Sequence, residues 1–376
     1  LLHGAKHLAA QLDHAFAEQG DSALLFHGCF LIVCAVDPSR AERNRRAAPV
    51  TLAAADGAGK CAARRRRRER QSSIIVCGAD GRSPSSSFLN RQGKKVKLLR
   101  YGPLGQEKPG LLDAAGNLRD LSGLLEDITP RTLAPEALEV LRAIDPERLP
   151  KVAGSPRLGV PWSGISKYVA IGLNYSDHAA ESGSPIPSEP TMFTKWLSCL
   201  CGPNDDTVMP PESTKLDWEV ELGIVIGRRA RNVSPAEALD YVAGYCLTND
   251  ISERAYQIDR SGGQWSKGKG FDTFGPVGPW LVTRDEVADP QRLDLWLDVN
   301  GVRRQTGNTE KMIFPCDFIV SYCSKVMTLE PGDLITTGTP PGVGLGCKPP
   351  QYLKVGDVVE LGINGLGQQR QRVVRA

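Results

Sequence analysis

The chain has 376 residues, enough for two or three domains with a large core, and an ordinary globular composition with 41% hydrophobic and 24% charged residues. Its net charge of +3 hides a split: residues 1–95 hold 16 Lys and Arg against 8 Asp and Glu, and residues 96–376 hold 30 against 35. The mildly acidic body argues against a nucleic-acid partner, and ten cysteines over this length, with one CxC pair at Cys199 and Cys201, argue against a disulfide framework or a zinc site and for reduced thiols in a cytoplasmic protein.

Residues 1–95 differ in character from the rest. A helix over 4–19 would place His3, His7 and His14 on one face, which the pattern favours as an exposed face over a metal site. The apolar run 24–36 is 13 residues long, too short to span a bilayer. Five consecutive arginines (Arg64 to Arg68) and a Ser/Pro run at 83–87 predict a poorly ordered basic extension. The first methionine is Met192. Because valine codons include a common bacterial start, and Gly93-Lys94-Lys95 can be encoded by a purine-rich run, the sequence also predicts that 1–95 is translated upstream sequence and that the native protein begins at Val96.

Residues 96–150 predict a small N-terminal domain: strands at 97–101 and 110–113, a turn at 114–117 and a helix over 135–144. A Pro/Gly-rich linker, 145–163, follows. Beyond it, strands dominate at 167–172, 219–226, 242–248, 279–283, 294–300, 333–337 and 356–363, with short helices after Ser234-Pro235 and over 317–327. Many strands with few, irregularly spaced helices predict an α+β fold of the β-sandwich-roll kind and argue against a TIM barrel or a Rossmann sheet.

Residues 217–222, Asp-Trp-Glu-Val-Glu-Leu, read as one strand continuing into apolar 223–227. Alternation puts Glu219 and Glu221 on one face, roughly 6–7 Å apart. Alone, this is a solvent-facing stripe more often than a cation site. Asp250, ending the strand 244–249, reads first as a helix N-terminal residue, yet it can also meet a neighbouring strand. Together the three carboxylates would form an all-oxygen site suited to Mg²⁺, Mn²⁺ or Ca²⁺. Arg254 and Gln257 lie three apart on one helix face. The loop 262–272 carries Lys267 and Lys269. His178, alone in the body, has Glu181 at i+3, an arrangement fit for a general base. The segment 332–344 is a strand entering a Gly/Pro turn whose amides and Thr339 hydroxyl suit a carboxylate.

The ordered motifs NYxDHxxE, DWEVEL, GYxxxNDxSxRxxQ, KGFDTFxPxGPW and PGDxIxTGTPPGVG resemble the fumarylacetoacetate hydrolase family over about 96–376. The wording is nearest the branch acting on 2,4-diketo-3-deoxy sugar acids and acylpyruvates, often labelled ureidoglycolate lyase. The resemblance implies a catalytic domain over 164–376, the family's mixed β-sandwich roll and a homodimer. It implies Mg²⁺ or Mn²⁺ on Glu219, Glu221 and Asp250, water activation by His178 with Glu181, an oxyanion-stabilising Lys269, and substrate contacts from Arg254, Gln257 and Thr339. The implied reaction is metal-dependent C–C hydrolysis of a 2,4-dioxo acid to pyruvate and a second acid. Oxaloacetate decarboxylation, diene-dioate isomerisation, ureidoglycolate cleavage and non-catalytic metal or carboxylate binding are the alternatives. Residues 1–95 match nothing in that family, and neither a nucleic acid nor a membrane is an expected partner.

Overall fold

The computed structural model describes the backbone of 22–26 and 29–33, and residues 96–177, 181 and 185–376. The chain divides into two units, 1–92 and 93–376. In the first, β1 (Ser22–Phe26) and β2 (Cys29–Val33) form an antiparallel hairpin that overlaps the apolar run. The helix expected over 4–19, with its three histidines, lies outside the described residues.

In the second unit, β3 (Lys97–Tyr101), β4 (Lys108–Leu112) and β5 (Leu118–Asp120) form a meander followed by helix α1 (Pro135–Ala143). The main body adds β6 (Tyr168–Gly172), β7 (Thr191–Thr194), β8 (Leu200–Cys201), β9 (Thr207–Met209), β10 (Leu216–Asp217) and β11 (Val220–Ile226). After the short helix α2 (Pro235–Ala238) come β12 (Val242–Asn249), β13 (Ser252–Glu253), helix α3 (Ser266–Lys269), β14 (Gly275–Pro276) and β15 (Leu281–Thr283). The chain ends with β16 (Asp294–Val299), β17 (Val302–Asn308), helix α4 (Cys316–Val326), β18 (Leu334–Thr336), β19 (Val358–Ile363) and β20 (Gly367–Arg375).

Nine strands form one mixed sheet in the order β5-β4-β3-β15-β12-β11-β18-β6-β7, and five form a second in the order β17-β16-β19-β20-β9. Segment 96–150, read from sequence as a small domain, adds its meander to the edge of the main sheet through the β3–β15 pair. Strands β16, β19 and β20 pack across β11 and β12, giving the α+β sandwich. Every residue of β11 and β12 is buried, so the near-continuous apolar runs are the core of this sandwich. Buried Gln369 and Gln371 of β20 point into it, and their amides are satisfied by the carbonyls of Leu247, Gly278 and Pro203.

The topology brings four strand ends together. β11 runs antiparallel to both β12 and β18, and β18 parallel to β6, so the start of β11 meets the ends of the other three. Among the described residues, no helix is long and apolar enough to cross a membrane.

Candidate active site

The stretch read as one strand from Asp217 is interrupted. Asp217 closes β10 and pairs with β13, whereas the ladder of β11 starts at Val220. Between them, the Trp218 N–H is taken by Asp217 Oδ1 at 2.8 Å and the Glu219 N–H by Asn249 Oδ1 at 3.1 Å. Side-chain capping of these amides replaces the ladder, so simple alternation does not carry Asp217 onto the face of Glu219. Glu219 and Glu221 remain near neighbours, and both are buried at 6% and 1% exposure, which overturns the solvent-stripe reading. Asp250 follows from strand pairing, since its N–H donates to Glu219 O at 2.9 Å. One carboxylate oxygen from each of Glu219, Glu221 and Asp250 lies within 4.8 Å of the others.

Each carboxylate is held by named donors. Glu221 Oε2 accepts from the Thr336 hydroxyl at 2.5 Å and the Gly338 N–H at 2.8 Å. Gly338 has φ +95°, and a Cβ there would come within 2.8 Å of Asn174 Cβ, so only glycine presents this amide. Asp250 Oδ1 accepts from Lys195 Nζ at 2.5 Å, and Lys195 also reaches the carbonyls of Ile251 and Lys269. Lys269 Nζ donates at 2.7 Å to both Glu219 Oε2 and Asp250 Oδ2. It arrives on α3 because Gly268 has no side chain; a Cβ there would lie 2.4 Å from Gln257 N and 2.5 Å from Glu253 O. Lys267, the loop's other lysine, instead donates to Arg260 O at 2.5 Å at the surface.

Arg254 bridges two acids. Its Nη2 is 2.7 Å from Glu219 Oε1 and its Nε 2.8 Å from Asp217 Oδ2, while Nη1 donates to Gln257 Oε1 at 2.9 Å. Gln257, on a π-helical turn over Ala255–Asp259, thereby keeps its NH₂ group for the cavity it lines. Asp217 is fully buried, and it also accepts the N–H groups of Gly344 and Leu345 at 2.7 and 2.9 Å.

Electrostatics separate the two strand glutamates. Burial pushes the Glu219 carboxyl up, but the charges of Lys269 and Arg254 outweigh it and hold it down at about 2. Burial pushes Glu221 well above the usual carboxylate range, and the charges of Asp250 and Glu219 act in the same direction. Burial lowers Lys269, yet Asp250 and Glu219 more than reverse this and keep it cationic. Asp217, Glu219, Glu221 and Asp250 thus face Lys195, Arg254 and Lys269, leaving one net negative charge when all are ionised. A divalent cation would turn that into one net positive charge, suited to an anionic ligand. Three clustered, buried, hard oxygen donors, one of them resisting ionisation, fit such a cation.

The carboxylates sit in a cavity of about 580 Å³. Its walls include Phe193, Trp265, Ile258, Val343 and Leu345, with Glu181, Thr339 and Lys348 also lining it. Glu181 approaches the turn after β18, where both carboxylate oxygens lie 3.1–3.2 Å from the Gly342 N–H. That turn is fastened by the Trp218 indole, which donates to Gly342 O at 3.1 Å. His178 lies outside the described residues. The Thr339 hydroxyl donates to Val220 O at 3.0 Å and accepts from Gln305 Nε2 at 2.8 Å, so its own proton is committed to the backbone. Sequence reasoning missed Lys195, Thr336 and Gln305. Lys195, at 1% exposure in the segment Phe193-Thr194-Lys195-Trp196, carries a signal only in retrospect, as a lysine within an apolar run.

Residues 167–374 match the family model described as fumarylacetoacetate hydrolase, C-terminal. A Burkholderia cenocepacia protein described only in general terms as a hydrolase is 62% identical over 278 residues, 74% of this chain and 98% of the relative. Among solved structures, fumarylacetoacetate hydrolase from psychrophilic Exiguobacterium antarcticum is 34% identical with a TM-score of 0.66, covering 75% of this chain and 100% of its own. Maleylpyruvate hydrolase from Sphingobium sp. SYK-6, in complex with manganese(II) and pyruvate, is 29% identical with a TM-score of 0.62, covering 74% of this chain and 99% of its own. A 2-hydroxyhepta-2,4-diene-1,7-dioate isomerase from Mycobacterium marinum is 34% identical with a TM-score of 0.57, covering 74% and 98%.

Proposed function

Because the chain belongs to the fumarylacetoacetate hydrolase family, we propose that it hydrolyses the C3–C4 bond of a 2,4-dioxo acid, giving pyruvate and a second carboxylic acid. The observation that carries this reading is the buried triad of Glu219, Glu221 and Asp250, flanked by Lys269 and Arg254 in one cavity. Those three carboxylates would hold a divalent cation, whose role when bound is to draw electron density from the 2-oxo acid end of the substrate as the bond breaks.

The chain's own residues supply the rest. Two of the three N–H groups of Lys269 are taken by Glu219 and Asp250, which leaves one for the oxygen that gains charge at C4. The Gln257 NH₂ is the second donor toward the same oxygen. Arg254, braced by Asp217 and Glu219, adds positive potential for the substrate carboxylate. His178 is the proposed base that removes a proton from water, with Glu181 orienting the ring. Bracing of Glu181 by the Gly342 amide supports that role.

The test is a panel of 2,4-dioxo acids and oxaloacetate, assayed with Mg²⁺ or Mn²⁺ by loss of the dioxo absorbance and by pyruvate release. Pyruvate with an equal amount of a second acid supports hydrolysis. Pyruvate from oxaloacetate alone would make the protein a decarboxylase, and no turnover of any member would leave a binding protein.

A further inference from the structure

Of the cations that line the cavity, Lys269 and Arg254 are matched with acids, contacting Asp250, Glu219 or Asp217. Lys348 lines the same cavity, is exposed, and has no ion-pair or hydrogen-bond partner among the described residues. Apolar side chains of Phe193, Trp265, Ile258, Val343 and Leu345 make up much of the wall of this cavity. Such walls accommodate a carbon chain and offer few partners to a polyhydroxylated one.

We infer that Lys348 is a specificity-determining residue that receives a second carboxylate at the far end of the substrate, so that the preferred 2,4-dioxo acid is a dioate with an apolar middle rather than a sugar-derived acid. This rests on the hydrolase reading above. An ammonium at the mouth of a mostly apolar cavity gains more from a carboxylate than from a methyl group, because the partly enclosed pair is less screened than one in open water.

The experiment compares two substrates of equal chain length, 2,4-dioxoheptanedioate and 2,4-dioxoheptanoate, with the Mn²⁺-loaded protein. Both would be cut to pyruvate, with succinate or butanoate as the second product. In the wild type the dioate should show the lower KM. Lys348→Met should raise KM for the dioate about 5–20-fold, in line with loss of one charge-assisted contact, and leave KM for the monoacid within about twofold. Lys348→Glu should raise KM for the dioate further still. Equal effects on both substrates, or none, would overturn the assignment. Binding of the two acids to Mn²⁺-loaded wild type and Lys348→Met, followed by calorimetry, keeps the readings apart. Dioate binding that weakens selectively without turnover would sustain the role of Lys348 and sink the hydrolase reading. Turnover with no selective loss would do the reverse.

Discussion

The hydroxyl of Thr336 donates to Glu221 Oε2 at 2.5 Å, with both side chains sealed from solvent. Thr248 stands behind it, its Oγ1 2.9 Å from that of Thr336 and 3.2 Å from the Glu221 carbonyl. This fixes one carboxylate oxygen and leaves the other for a cation. Thr336→Val keeps the shape and removes the donor, so Mn²⁺ affinity should fall about 10-fold, the lower end for loss of a contact that orients a ligand. Thr336→Ser should retain most of the affinity. Calorimetric titration with Mn²⁺ checks both, and equal affinities for Val and wild type would remove Thr336 from this role.

The opposite shifts of Glu219 and Glu221 predict a pH dependence of metal binding. Glu219 stays ionised down to about 2, whereas burial, reinforced by the charges of Asp250 and Glu219, keeps a proton on Glu221 above the usual range. Metal needs the carboxylate, so metal and proton compete at Glu221 and binding releases a proton. The apparent dissociation constant should rise about tenfold per pH unit below the raised Glu221 value and level off above it. For the metal-free fold the signs differ. The folded protein keeps the Glu221 proton where the unfolded chain has lost it, so this contribution declines as pH rises from the ordinary carboxyl value through the raised one. The contribution of Glu219 is present above its ordinary value and lost only as pH falls toward about 2. Titrations in buffers of differing ionisation enthalpy measure the released proton; its absence would contradict the assignment.

Asp217 and Glu221 should behave oppositely in stability. Asp217 holds the Arg254 guanidinium and two backbone amides of the 344–345 turn, all buried. Asp217→Ala leaves them unmatched and should cost about 3–5 kcal/mol, a fall in Tm of about 10 °C. Glu221→Gln removes an acid that burial and two like charges oppose, so the metal-free protein should be no less stable. The same variant should bind Mg²⁺ and Mn²⁺ much more weakly. Thermal melts with and without metal check the pair.

What was legible in the sequence follows from how local each signal is. The triad was legible only in part: Glu219 and Glu221 sit at strand spacing and Asp250 follows the end of the neighbouring strand, but alternation alone favoured a solvent stripe, and the metal-ligand reading came with the family resemblance. The role of Asp217 was not legible, since the partners that bury it, Arg254 and the amides of Gly344 and Leu345, lie 37 to 128 positions away. Lys195 was missed for the same reason, as its acid lies 55 positions on. Among the strands, β17 and β20 were missed because their sequences are polar. Their inward positions carry Gln305, Gln369 and Gln371, which a reading of apolar alternation assigns to the surface. Edge strands β7 and β9 are short and only partly buried, so they carry little period to read.

The assignment of the base rests on His178 and is tested by separating binding from chemistry. The proposed cation site of Glu219, Glu221 and Asp250 does not call on the histidine, so His178→Ala should leave Mn²⁺ affinity within about twofold of wild type. Without a base to take the proton from water, kcat should fall by about 10²–10⁴-fold, with a smaller effect on KM because the inner contacts come from Arg254, Gln257 and Lys269. Glu181→Gln should lie between, since it removes the charge proposed to steady the ring while keeping a group able to accept the Gly342 N–H. The decisive readout is the pH profile. In wild type kcat should fall as pH drops and the imidazole takes up a proton, and that limb should vanish from the residual activity of His178→Ala. A limb that persists unchanged, or turnover equal to wild type, would transfer the role of base to another group.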